Sequence, residues 1–329
     1  MSQVEILRVE HLKKYFPVEK SFLEKALTRA RHFVKAVDDV SFSVTRGEIF
    51  TLAGESGCGK TTTGKLVVRL ISPTSGRIFF DGTDTTMVNS ETLRILRRKM
   101  QIIFQDPYAS LNPRMKIGDA VGHPLEIHGI AYHDEKRKKV LEILNRVGLS
   151  PSDKFVDLYP HQISGGQRQR VAMARALILQ PEFVVADEPV SMIDVSLRTA
   201  IIDLMLSLRK DFGLTYLFIT HDLAVAKYIS DRIAIMYLGK IVELGDKKTM
   251  FSNPLHPYTK ALLSAIPVPI PERQRKKTEL RGDVPSAIDV PSGCRFRTRC
   301  NCVNKFCEET EPELLPVSPS HYVACNQCS

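Results

Sequence analysis

The chain has 329 residues, more than a typical single domain, so one large domain with an appendage, or two domains, is expected. Its 46 Lys and Arg against 37 Asp and Glu suit an anionic partner, whether nucleotide, nucleic acid or anionic membrane face, and its 43% hydrophobic content is ample for a core. No stretch approaches the ~18 apolar residues of a membrane span, and Met-Ser-Gln-Val-Glu at the start carries no basic flank with an apolar core behind it, so a cytosolic protein is expected.

Residues 4–9 and 36–44 alternate apolar and polar side chains, the signal of half-buried strands. Between them Phe22, Leu23, Ala26, Leu27 and Ala30 recur at helical spacing among Lys and Arg. That insert reads as a short helix lying on its own domain, with a membrane or partner helix as the alternative. Tyr15 and Phe16 end the first strand segment, where an aromatic can stack on a purine or simply pack.

The apolar run Ile49, Phe50, Leu52 and Ala53 leads into Gly54-Glu55-Ser56-Gly57-Cys58-Gly59-Lys60-Thr61-Thr62, followed by a helix-compatible stretch. Strand, glycine-rich loop and helix in that order make a phosphate-binding loop. Without a Cβ in the way, the backbone at Gly54, Gly57 and Gly59 can turn its N–H groups onto a polyphosphate, at the positive end of a helix. Lys60 then pairs with the β- and γ-phosphates, Thr61 ligates Mg2+ and Thr62 reaches a further phosphate oxygen. Cys58 fills a variable position and needs no chemistry.

Downstream, 77–81 is expected to be a strand closing on the turn Asp81-Gly82, 93–100 a helix, and 101–105 a short buried strand with Gln105 at its end. From Asp106 to Pro160 the pattern is helical, polar and broken by prolines, as in a separate helical subdomain. Ser164-Gly165-Gly166-Gln167 then opens a helix whose apolar face is Val171, Ala174, Leu177 and Ile178, a second anion-seeking helix end. The run 183–188 is a buried strand delivering Asp187 and Glu188 at its carboxyl end, and 215–220 delivers His221 and Asp222 at the equivalent place. Residues 233–245 read as a hairpin turning at Gly239. Two phosphate-seeking helix ends, a Mg2+ carboxylate, a base, a glutamine and a histidine on strand ends compose a nucleoside triphosphate hydrolase.

From the Ser164–Gln167 signature, with the other motifs in their order over residues 4–260, the chain resembles the ABC ATPase superfamily. The resemblance implies an α/β fold: a P-loop ABC ATPase domain over 1–255, with a helical subdomain at about 106–180, followed by a small cysteine-rich extension over 256–329. It also implies that Asp187 holds Mg2+ through water, Glu188 polarises the attacking water and His221 contacts the γ-phosphate. Gln105 would sense Mg2+ and the lytic water while its loop contacts a membrane subunit, and Tyr15 would stack on adenine. The signature of one subunit would cover the P-loop ATP of another in a head-to-tail dimer. After Glu188 the chain reads Pro-Val-Ser-Met-Ile-Asp194, a departure from the family's usual Thr then Ser-Ala-Leu-Asp that keeps the dimer-communicating Asp194.

The stretches after Gln105, at Asn253-Pro-Leu-His-Pro-Tyr258, and at Gly293-Cys294-Arg-Phe-Arg-Thr-Arg-Cys300 resemble the ATP-binding subunits of oligopeptide and dipeptide importers. That likeness implies permease subunits as partners, a second ATP-binding subunit (a related paralogue or itself), indirectly a substrate-binding protein, and a peripheral place on the cytoplasmic face of the cell membrane. The alternative is a soluble ABC ATPase acting on nucleic acid. Nucleic acid is not the expected partner, because there is no coiled-coil insertion, no second cassette and no aromatic-interleaved basic stripe.

Six of the seven cysteines lie beyond residue 293, which in a reducing cytosol suggests a metal or cluster more than disulfides. They follow a Pro-, Arg- and Lys-rich linker over 267–291, in a segment too small to fold on its own core. Thiolates ligate both iron-sulfur clusters and zinc, and Arg295, Arg297 and Arg299 would offset their charge. The spacing of Cys294, Cys300, Cys307 and Cys325 resembles that of peptide-importer ATPases, some of which bind a [4Fe-4S] cluster; zinc, or free or disulfide-paired thiols, are the alternatives.

Overall fold

The computed structural model describes residues 4–18, 32–266 and 282–327. The expected helix around Phe22 to Ala30, the linker from 267 to 281, and Cys328 lie outside them. In chain order the first elements are β1 (Glu5–Pro17), β2 (Phe33–Thr45), β3 (Ile49–Ala53), α1 (Lys60–Val67), β4 (Ser75–Phe80) and β5 (Thr83–Asp84). Then come α2 (Ser90–Lys99), β6 (Met100–Ile103), α3 (Pro107–Ser110), α4 (Ile117–Ile127), α5 (His133–Arg146), α6 (Asp153–Val156), a 3-10 turn (Pro160–Gln162) and α7 (Gly165–Leu177). The chain continues through β7 (Phe183–Asp187), α8 (Val195–Phe212), β8 (Thr215–Thr220), α9 (Leu223–Ile229), β9 (Arg232–Tyr237) and β10 (Lys240–Asp246). It closes with α10 (Lys247–Ser252), α11 (Pro257–Ser264), α12 (Phe306–Glu309), β11 (Leu315–Ser318) and β12 (His321–Val323). None of the described helices is long and apolar enough to cross a membrane.

The described residues form two compact units, one from residues 44–49 and 87–219 with Val4, the other from 5–43, 50–86 and 220–327. In the first, β8, β7 and β6 lie side by side and parallel, Phe183 opposite Thr215 on one flank and Met100 on the other. Every residue of β7 and β8 is buried, as interior parallel strands require. The helices α3 to α7 are the expected helical stretch, and α8 stops at Gly213, whose left-handed φ of 65° closes it. Two boundaries differ from expectation. Helix α2 starts at Ser90 because the Asn89 side chain accepts from Thr92 N–H at 2.8 Å. Strand β6 stops at Ile103, short of Gln105, because Asp106 accepts from Tyr108 N–H and Pro107 has no ladder donor, so the chain turns into α3.

In the second unit one sheet runs β2-β1-β4-β5, its last hairpin turning at Asp81 and Gly82 with positive φ at both, as expected there. A second run is β11-β12-β10-β9-β3, with β3 parallel to β9 and the β9–β10 hairpin turning through Leu238 and Gly239. Strand β1 extends through Tyr15 and Phe16 to Pro17, longer than its alternating segment; it lies between β2 and β4, and its register with β4 runs from Leu7 opposite Phe80 to Lys13 opposite Ser75.

The cysteine-bearing tail, expected to be too small to fold on a core of its own, packs against core residues that precede it in the second unit. Phe296 is 1% exposed and packs on Tyr237, Tyr258 and His256, in a cluster that also holds Ile233, Ile235 and Leu263. Strand β12 adds to β10, Glu243 opposite Val323. Beneath that pairing the His321 ring nitrogen Nε2 meets Glu243 Oε1 at 2.8 Å, both side chains buried, while Glu243 also accepts from the Leu255 and His256 N–H groups.

Candidate functional site

In the second unit the loop after β3 has the shape a phosphate cradle needs. Gly54 has φ 151° and a Cβ there would stand 2.3 Å from the Met236 carbonyl oxygen; Gly59 has φ 109° and its Cβ would stand 2.1 Å from that of Ala36. Only glycine fits either place. Gly59 is the N-cap of α1 and offers no side-chain acceptor, so no side chain of the cap residue takes up the first N–H groups of the helix. Lys60 is buried, its Nζ donating to the carbonyls of Gly54 at 2.8 Å and Glu55 at 2.9 Å, which centres its charge on the loop. Cys58 is buried beside it, and burial pushes its thiol up. Gly57 and Ser56 are exposed, and Thr61 and Thr62 are half-buried in the first turn of α1.

Glu55 is held on all its polar groups by the protein. Its N–H donates to the Tyr258 hydroxyl at 3.0 Å, its carbonyl accepts from Lys60, and its carboxylate accepts two guanidinium N–H bonds from Arg299 at 2.7 and 3.1 Å. Tyr15 is half-buried on β1, its hydroxyl donating to Asp38, which also accepts from Arg295. Burial works against ionisation of Asp38, but the hydrogen bonds from Tyr15 and Arg295 outweigh it and hold the carboxyl below its usual range. Burial, followed by the bond to Asp38, pushes the Tyr15 phenol up, so it stays the donor. Lys35 Nζ lies 5.9 Å from the centre of the Tyr15 ring. His221, directly after β8, is exposed, and Asp222 behind it caps α9 by accepting from Ala224 N–H at 2.8 Å and Val225 N–H at 3.3 Å.

In the first unit β7 carries Asp187 and, just past it, Glu188 to its carboxyl end, both buried. Glu188 has φ 46°, a conformation side chains rarely adopt, and is held there by its N–H to the Ile219 carbonyl at 2.9 Å and by the Ser191 hydroxyl on its own carbonyl at 3.0 Å. The Gln105 amide donates to Glu188 Oε2 at 3.0 Å. The structure thus brings Gln105 and Glu188 together and explains why a glutamine stands just past the strand. Ser164 caps α7 in a reciprocal box with Gln167, whose N–H donates to the Ser164 hydroxyl at 3.3 Å and whose side chain accepts from Ser164 N–H at 2.9 Å. Gly165 and Gly166 form the first turn, and Asp194 is exposed at the start of α8.

Sequence reasoning missed several residues. Arg168, in the first turns of α7, lies 3.7 Å over the ring of Tyr108 in α3 and donates to the Ile163 carbonyl at 2.8 Å, tying the signature to the segment after Gln105. Tyr258, Arg295 and Arg299 were missed as holders of the loop and of Tyr15, and no local pattern marks them. The expected role of the tail arginines as counter-charges to thiolates is corrected. Arg295 serves Asp38, the Leu238 carbonyl and Glu311; Arg299 serves Glu55; Arg297 serves Ser292 and Glu308. Carboxylates within reach outcompete thiols, which are neutral at ordinary pH.

Cys294 and Cys300 pack against the cluster that holds Phe296, and the Cys294 N–H donates to the Cys307 carbonyl at 2.8 Å. Cys294 is pushed up to about 11, by burial first and then by Cys307, Cys325 and Cys300. Among the described residues, however, no three Cys, His, Asp or Glu side chains are grouped closely enough to hold a metal ion.

Residues 37–191 match the family model described as ABC transporter, and residues 242–307 match the one described as the C-terminal region of oligopeptide/dipeptide transporters. The chain is 47% identical over 328 residues to the oligopeptide transport ATP-binding protein AppF of Bacillus subtilis, covering 99% of this chain and 98% of that protein. It is 46% identical over 320 residues to the dipeptide transport ATP-binding protein DppF of Haemophilus influenzae, covering 97% and 96%. Among solved structures, the dimeric post-hydrolysis state of the ATP-binding cassette MJ0796 bound to ADP and Pi aligns with TM-score 0.64 at 28% identity, over 74% of this chain and 99% of that one.

Proposed function

We propose, for a chain that belongs to the ABC transporter ATP-binding proteins of oligopeptide and dipeptide transport, that it is the ATP-hydrolysing subunit of a peptide importer. The observation that carries the reading is the loop at 54–62, with two backbone-closed glycines, a helix start without a side-chain cap and a buried lysine centred on the loop. These residues fit a nucleoside triphosphate. In this reading the loop's N–H groups and Lys60 bind the phosphates, Tyr15 stacks on the base, Glu188 orients the attacking water with Gln105 holding its carboxylate, and His221 reads the γ-phosphate. Mg2+ neutralises phosphate charge, with Thr61, Asp187 and Gln105 as the residues to hold it. Ser164 to Gln167 serve the nucleotide of a second ATP-binding subunit, Asp194 passes state between the two, and the segment after Gln105 docks on the permease at the cytoplasmic membrane face. The ATPase domain spans 1–255 and the extension 256–329. A soluble ATPase acting on nucleic acid gives way to this reading because the match extends through the transporter-specific C-terminal region.

Lys60→Ala should abolish ATP binding, whereas Glu188→Gln should bind ATP and fail to turn it over. Turnover of Glu188→Gln at the native rate would overturn the assignment.

The proposal includes a [4Fe-4S] cluster on Cys294, Cys300, Cys307 and Cys325, with zinc as the alternative metal. Its support is the donor set in one short segment: Cys294 and Cys300 pack against the same core, and the Cys294 N–H donates to the Cys307 carbonyl at 2.8 Å. Ligation requires them to draw closer than they stand in the structure.

A further inference from the structure

Between Cys294 and Cys300 the chain makes two overlapping tight turns, Arg297 N–H to the Cys294 carbonyl at 3.0 Å and Arg299 N–H to that of Phe296 at 3.0 Å. Their inner face carries Arg295, Phe296 and Arg299, all buried, while Arg297 points to Ser292 and Glu308. Phe296 anchors the turns in the Tyr237–Tyr258 cluster, and the two flanking guanidiniums reach in different directions.

We propose that Arg295 and Arg299 are positioning residues for the nucleotide, Arg299 holding the phosphate loop through Glu55 and Arg295 holding the base-stacking Tyr15 through Asp38. The inference rests on the ATP site named above. At the phosphate end, Arg299 grips both oxygens of Glu55, and a two-bond fork fixes orientation as well as distance. The same Glu55 gives its carbonyl to Lys60 and its N–H to Tyr258, so the carboxylate grip sets where the lysine charge sits. At the base end, one carboxylate, Asp38, takes both the Tyr15 hydroxyl and an Arg295 N–H, which fixes the tilt of the ring. Arg295 also donates to the Leu238 carbonyl, and the next residue, Gly239, donates to the Cys58 carbonyl at 2.9 Å and accepts from Asp38 N–H at 2.8 Å. One pair of turns in the tail therefore reaches both ends of the nucleotide site through short polar chains. A buried Arg–Asp pair contributes little net stability over an apolar pair of the same shape. What these two contacts add is geometry at groups that meet the ligand.

The test uses the full-length protein and two probes, Mg·ATP and inorganic tripolyphosphate, each displacing a fluorescent nucleotide. Arg299→Gln should weaken both about tenfold or more. Arg295→Gln should weaken ATP similarly and leave tripolyphosphate within about twofold, because its effect passes through the base-stacking ring. In hydrolysis both variants should raise KM more than they lower kcat. Tyr15→Phe should match Arg295→Gln, and the double variant should lose no more than either alone. If Arg299→Gln does not fold, Glu55→Gln removes the same fork from a side chain that is 29% exposed and should weaken both probes likewise. Should the unmodified protein bind neither probe, the ATP reading itself falls. Unmodified protein that binds normally, with variants that bind equally well or lose both probes to the same extent through Arg295, would overturn the positioning roles.

Discussion

Replacing Phe296 by Ala should undock the tail from the rest of the second unit. The ring is 1% exposed, with centroids 5.3 Å from Tyr237 and Tyr258 and 5.6 Å from His256. Core Phe→Ala replacements cost about 3–5 kcal/mol, combining lost burial with the cavity left behind. Each favourable ring pair contributes about 0.5–1.5 kcal/mol of such a total. Three ring partners and near-complete burial put this site at the upper end of the range, a large part of the roughly 5–15 kcal/mol that holds a domain folded. The chain has nine Tyr and no Trp, so tyrosine emission under selective excitation includes the two rings flanking Phe296 and suits a urea titration. The emission transition should move to lower urea by an equivalent of about 5 kcal/mol, ahead of the far-UV circular dichroism change. Phe306, 54% exposed, gives the comparison: Phe306→Ala should shift the transition by no more than about 0.5 kcal/mol. A Phe296→Ala loss indistinguishable from that of Phe306→Ala would refute the claim that the tail is held by this core.

Three further outcomes follow from particular residues. His256 is buried, and its Nδ1 accepts from Tyr258 N–H at 3.1 Å; burial first and then the Lys260 charge hold its pKa down to about 3. The unfolded chain takes up a proton near pH 6.5 that the folded one refuses until about pH 3, so this contribution is complete above pH 6.5. It should be lost on acidification through that window by up to about 1.4 kcal/mol per pH unit, and His256→Asn, which can still cap, should flatten the slope; an unchanged slope in denaturation series at pH 7, 6 and 5 counts against it. Gly59→Ala would push a Cβ to 2.1 Å from the Ala36 carbonyl oxygen and should abolish ATP binding, so affinity within about twofold of the native value would contradict the cradle geometry. Anaerobically purified protein should be brown and contain iron and acid-labile sulfide, with Cys300→Ser bleaching it; stoichiometric zinc without iron would exclude the cluster.

Much of the candidate site is local and can be read from the order of residues along the chain. Apolar runs bounded by glycine fix the β3–loop–α1 unit, a Ser three residues before Gln fixes the cap of α7, and runs of four apolar residues carry Asp187 and His221 to strand ends. These features depend on backbone periodicity and on neighbours a few positions away, so spacing alone conveys them. Gln105 was legible as a polar residue beyond a buried strand, but its partner Glu188, 83 positions on, was not. The partners of the tail arginines, by contrast, are set by folding. Arg295 meets Asp38 across 257 positions and Arg299 meets Glu55 across 244. Three arginines among cysteines read in sequence as counter-charges to thiolates, since charge and proximity along the chain are all a sequence displays. Folding instead seats Phe296 among Tyr237, Tyr258 and His256, and that placement points the flanking guanidiniums at carboxylates, whose full charge a neutral thiol cannot match.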